Sequence, residues 1–105
     1  HYTVSKVFGE AMGYSYARQY DMEIVCVRIG NFSPDRDQPE HPHHLSHSDC
    51  VEVFAKAITH PGVRFEVVLG VSGSNWPLYD MEHGKQAIGY EPQDYAEVPK
   101  EGWDK

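Results

Sequence analysis

Two short apolar runs limit what this chain can fold into. Ile24-Val25-Cys26-Val27-Arg28-Ile29 and Phe65-Glu66-Val67-Val68-Leu69 are brief and rich in β-branched residues, so both read as strands. The first is nearly unbroken rather than alternating, the pattern of a strand covered on both faces in a parallel sheet. Helical patterns surround the two runs. Val4, Val7, Phe8, Ala11 and Met12 recur at helical spacing and predict a helix over Tyr2–Tyr20 with that stripe buried. Tyr2, Lys6, Gly9 and Gly13 share another face, where two glycines weaken the helix and imply close approach of a backbone or a ligand. Ser46 and Asp49 stand as a capping box before Val51, Phe54, Ala55 and Ile58, and Pro61-Gly62 stops that second helix. A short third helix is predicted over residues 78–88, ending at Gly89. Helices alternating with apolar strands predict a parallel α/β sheet with crossover connections. Two strands make a thin sheet, and a helix stands first with no strand before it. The expectation is the C-terminal part of something larger.

The rest of the chain narrows the function classes. Nine basic against sixteen acidic residues give a net charge of −7. That charge repels phosphate backbones and anionic bilayers, so neither nucleic acid nor a membrane surface is an expected partner. An apolar fraction of 40% argues against disorder over the whole length. Cys26 and Cys50, with no C-x-x-C spacing, read as reduced core residues of a cytoplasmic protein. Residues 33–44 are rich in Pro, Asp and His without periodicity, a loop long enough to carry function. Its His41, His43 and His44, with His47, lack a cysteine or carboxylate at ligand spacing and are expected to hold no specific metal. Residues 72–75 form a polar loop. Trp76, Leu78 and Tyr79 are an aromatic patch that either walls a sugar-sized pocket or simply packs. The segment from 97 to 105 has no pattern and is expected to be frayed or to dock through Trp103 alone.

One motif carries chemistry. Tyr2-Thr3-Val4-Ser5-Lys6 has the form Y-x-x-x-K, which places a phenol and an ammonium on one helix face. A phenol with its ordinary pKa near 10 is a poor base at neutral pH. A fixed ammonium beside it favours the phenolate and brings it toward general acid–base work. Tyr and Lys four apart also occur on ordinary solvated helices, so the pair needs context.

Context comes from motifs in order. Tyr2, Lys6 and Glu10 on the first helix, Arg28 with Gly30 and Asn31 ending the next strand, and then Pro34, His47 and Asp49 fall in succession, before a closing Gly89-Tyr90-Glu91-Pro92. Over residues 1–95 this arrangement resembles the extended short-chain dehydrogenase/reductases, the NAD-dependent epimerase/dehydratase family, and within it is most similar to the uronate dehydrogenases. The resemblance implies the C-terminal part of a Rossmann-like parallel-sheet domain, with residues 96–105 a tail. The glycine-rich phosphate loop, the acidic ribose reader and the catalytic Ser/Thr of that family all precede the Tyr-Lys helix, and none is found in this chain.

What the resemblance implies for the site follows residue by residue. Tyr2 is the proton acceptor from a substrate hydroxyl as hydride leaves for NAD, with NADP left open. Lys6 bonds the nicotinamide ribose, and Phe32 lies near the nicotinamide. Asn31 stands where those enzymes place a substrate-contacting serine. Their carboxylate-gripping loop arginine has no match, since Glu40 and His41 occupy the nearest positions; Arg36, slightly upstream, is the candidate. The implied partner is a sugar or sugar-acid substrate, and the implied assembly is a homodimer formed through the first helix. Three other readings stay open: a nucleotide-sugar epimerase or dehydratase, a non-catalytic binding module derived from the same family, and a metal-handling His-rich protein.

Overall fold

The computed structural model describes residues 2–75 and 80–99. Its elements follow in the order α1 (Tyr2–Tyr20), β1 (Ile24–Ile29), α2 (His47–Thr59), β2 (Phe65–Gly70), β3 (Gly73–Ser74), α3 (Glu82–Ile88) and β4 (Tyr95–Ala96). β1 and β2 pair in parallel, from Ile24 beside Phe65 to Ile29 beside Gly70, with α2 as the crossover between them. The parallel α/β arrangement expected from the two apolar runs is what forms.

Strand alternation sorts the side chains onto two faces. Val25, Val27 and Val68 face a core made with Val53, Val63, Ile88 and Tyr90. Tyr90 is fully buried, and its hydroxyl donates to the Val71 carbonyl at 2.9 Å. Burial pushes its phenol well above the ordinary tyrosine range. On the opposite face Ile24, Cys26 and Phe65 receive α1. A Cβ on Gly13 would stand 3.3 Å from Ile24 Cγ2, 3.4 Å from Phe65 Cε1 and 3.6 Å from Cys26 Sγ, so this glycine lets the helix lie close on the sheet. Ala17, also small, is buried in the next turn.

The expected burial of Val4, Val7, Phe8 and Met12 is not found: Val4 is 71% and Phe8 63% exposed. The helix meets the sheet through its small residues because only they admit the close approach, which turns the larger apolar stripe outward. Tyr14, on the flank of that contact, sets its ring edge-on to Phe65 at 5.3 Å. Cys26 and Cys50 are free and half-buried rather than core residues, and burial raises both thiols above their usual range.

Two elements of the C-terminal third differ from expectation. The helix expected over 78–88 begins at Glu82; Asp80 and Met81 are outside it, and residues 76–79, with the aromatic patch, lie outside the described residues. The polar loop at 72–75 contains a strand, β3, which pairs in parallel with β4. Val98 is buried, its N–H donating to Asn75 Oδ1 at 2.7 Å while Asn75 Nδ2 donates back to its carbonyl at 3.2 Å. The expected docking through Trp103 lies outside the described residues. Among the described residues no helix is long and apolar enough to cross a membrane.

Candidate functional site

The first half of α1 and the end of β1 enclose a cleft of about 540 Å³, lined by Tyr2, Lys6, Gly9 and Glu10 on one side and Cys26, Arg28 and Ile29 on the other. The four-residue spacing puts Tyr2 and Lys6 on the helix face toward the cleft. Lys6 Nζ lies 5.1 Å from the centre of the Tyr2 ring, a cation–π contact that keeps the ammonium beside the phenol. Ser5 Oγ donates to the Tyr2 carbonyl at 2.7 Å, a bond within the first turn of the helix. A Cβ on Gly9 would meet nothing within 4 Å, so the cleft is open above that turn.

A bidentate ion pair spans the cleft. Arg28 Nε donates to Glu10 Oε2 at 2.8 Å and Arg28 Nη2 to Glu10 Oε1 at 2.9 Å. The guanidinium, chiefly through its hydrogen bonds, holds the Glu10 carboxyl below the usual range. Arg28 is exposed and Glu10 half-buried, so the pair contributes more to aligning α1 on β1 than to stability. Sequence reasoning placed Glu10 and Arg28 in motifs without giving them a joint role. The signal was there: Arg28 is the one charge in an otherwise apolar strand, and Glu10 continues the Tyr2, Lys6 face by another turn.

The remaining candidates lie beyond the end of β1 and do not line this cleft. Asn31 is held as backbone: its N–H donates to the His43 carbonyl at 2.7 Å, and its carbonyl accepts from Leu45 N–H at 2.9 Å. Its side-chain amide donates to Gln38 Oε1. Phe32 sets its ring 5.3 Å from the His47 imidazole. Arg36 donates to Glu40 Oε2 at 3.3 Å and to the Asp37 carbonyl at 3.1 Å, so it sits within the loop's own ion pair. His47 closes that loop onto α2, donating from Nε2 to the Ser33 carbonyl at 2.6 Å and from its backbone N–H to Asp37 Oδ1 at 2.7 Å. The structure thus brings Tyr2 and Lys6 together and keeps Asn31, Phe32 and Arg36 as a separate group at the strand's C-terminal end. That end is where ligands bind in open α/β sheets.

No family model matches the chain. An NAD-dependent glucose-6-phosphate dehydrogenase of Haloferax volcanii is 34% identical over 106 residues, covering 96% of this chain and 40% of the relative. A uronate dehydrogenase of Pseudomonas putida is 32% identical over 102 residues, covering 93% of this chain and 37% of the relative. Among solved structures, the uronate dehydrogenase of Agrobacterium tumefaciens superposes with a TM-score of 0.77 at 30% identity, over 90% of this chain and 36% of that one. A mutant of the same enzyme, solved in complex with NAD, superposes with a TM-score of 0.74 at 29% identity, over 89% of this chain and 35% of that one. The chain therefore spans 40% or less of the length of these relatives. In sequence and in fold it is similar to the C-terminal portion of uronate-dehydrogenase-like proteins, and its parallel strands match that part of their Rossmann-like structure.

Proposed function

We propose that this chain is the Tyr-Lys, substrate-side portion of an NAD-dependent dehydrogenase that oxidises a sugar acid of the uronate class. The single observation that carries the reading is the Tyr2–Lys6 pair, with Lys6 Nζ 5.1 Å from the Tyr2 ring, on the wall of a cleft in a chain similar to uronate dehydrogenases. In this reading the Tyr2 oxygen, as phenolate, takes the proton of the substrate hydroxyl and becomes the phenol as hydride leaves for NAD. Lys6 keeps a positive charge beside the phenol and offers N–H donors to a ribose.

NAD suits the donor chemistry present. An ammonium and a phenol converge on open space, and Gly9 leaves room beside them for a planar ring and its sugar. Lys6 would hold the nicotinamide–ribose end with the ring of Tyr2 against it, and Phe32 is assigned as an apolar neighbour from the strand's C-terminal end; bound there, NAD supplies the hydride acceptor. Asn31 is assigned to the substrate. Arg36 is the candidate for a substrate carboxylate once it leaves Glu40. The exposed Val4, Val7 and Phe8 face of α1 supports a homodimer through this helix.

Product analysis of the full-length protein tests the reading. Incubation with NAD and a hexuronate is expected to give NADH and an oxidised sugar acid, with no change in UDP-sugars supplied in parallel. An epimerised or dehydrated UDP-sugar without net NADH would make the protein an epimerase or dehydratase instead.

A further inference from the structure

Asp49 is fully buried, and it is the sole acidic residue so placed among the described residues. A buried carboxylate is costly unless its oxygens are satisfied. Here three donors reach it: the Ser72 hydroxyl at 2.6 Å, the Gln93 N–H at 2.8 Å and the Asp94 N–H at 3.1 Å. Helix capping does not explain the charge, because the Ser46 side chain already caps α2 by accepting the N–H of Asp49 at 3.1 Å. The reciprocal half of a capping box is also missing. Ser46 N–H donates not to Asp49 but to Ser72 Oγ at 3.0 Å.

Ser72 is therefore a relay. Its hydroxyl donates to Asp49 and accepts from Ser46 N–H, while its own N–H donates to the His44 carbonyl at 2.8 Å. Residues 43–45 in turn pair with Asn31 on the other side. Past the ends of β1 and β2 the returning loop is thus wedged between the two strand extensions, and the carboxylate of Asp49 fixes the outer one. Asp94 reinforces the joint, accepting from Ser46 Oγ at 2.5 Å and Ser48 Oγ at 2.8 Å.

We infer that Asp49 is a positioning residue for the loop of residues 31–46: through Ser72 it sets where Asn31 and its neighbours stand at the strand ends. The functional part of this inference rests on the substrate assignment proposed above. The negative charge is what the position requires. An amide at 49 keeps one acceptor oxygen and turns a nitrogen donor toward another donor.

Two variants test it. Hydrogen exchange on the full-length protein is expected to speed up about tenfold or more at the amides of Asn31, Leu45 and Ser72 in Asp49→Asn, while the β1–β2 ladder amides keep their protection. Ser72→Ala, which retains Asp49 and its two backbone donors, is expected to show the same pattern at smaller amplitude. Unchanged exchange at Leu45 and Ser72, or a uniform rise that includes the ladder in both variants, overturns the inference. In the full-length protein Ser72→Ala is expected to raise KM for the uronate several-fold with kcat retained; a fall in kcat at unchanged KM overturns the link to substrate. The exchange arm needs no turnover, so failure of the dehydrogenase reading would show in activity and failure of the clamp in exchange.

Discussion

Replacing Tyr2 with Phe in the full-length protein is expected to lower kcat by about a hundredfold or more and to leave NAD affinity nearly unchanged. The substitution removes one oxygen and keeps the ring that Lys6 lies against. Tyr2 is 75% exposed in the first turn of α1, so the variant should fold as the parent does. A loss confined to kcat is the signature of a group that moves a proton in the transition state rather than one that binds. Retention of more than about a tenth of wild-type kcat would remove Tyr2 from the proton transfer, since such groups ordinarily contribute a hundredfold at least.

The second large effect is structural. Gly30→Ala is expected to destabilise the chain by about 3 kcal/mol or more, at the upper end of overpacking costs. A Cβ at that position would stand 2.2 Å from the His43 carbonyl oxygen and 2.7 Å from Val71 Cγ1. The first of these is backbone, pinned by the Asn31 N–H, so relief requires the returning loop to leave its place between the extensions of the two strands at Asn31 and Ser72. Gly9→Ala is the internal control. With nothing within 4 Å of the new methyl, it should stabilise α1 by about 0.5–1 kcal/mol. Denaturant midpoints at constant m-value measure both. Equal stability of Gly30→Ala and the parent would mean that residues 43–45 are not seated against Gly30.

Where order was legible in the sequence, a period or a stop residue made it so. The β-branched run at 24–29, the helical spacing of Val51, Phe54 and Ile58, and the stop at Pro61-Gly62 each specify an element through contacts a few residues long, and α1, β1, α2 and β2 lie where those signals put them. The apolar face of α1 misled because period alone cannot say which of two stripes meets the sheet. Gly13 decides that, through a contact with Phe65 far along the chain. β3 and β4, two residues each, have no period to read.

The candidate site divides the same way. Tyr2 and Lys6 were legible because one helical turn joins them. The Glu10–Arg28 pair and the Asp49 hub were not, since their partners lie between 18 and 45 residues away. Asp49 in particular reads as half of a capping box until Ser72, Gln93 and Asp94 are seen converging on it.

As proposed above, this chain carries the proton-handling pair of an enzyme that moves hydride from a sugar acid to NAD. The most direct measurement is to follow deuterium from a hexuronate labelled at its oxidised carbon, using the full-length protein and NAD. The label is expected to accumulate in the reduced nicotinamide, and Tyr2→Phe to stop its transfer. Label returned to an epimerised sugar, or retained in unreacted uronate by a protein that binds NAD, would contradict it.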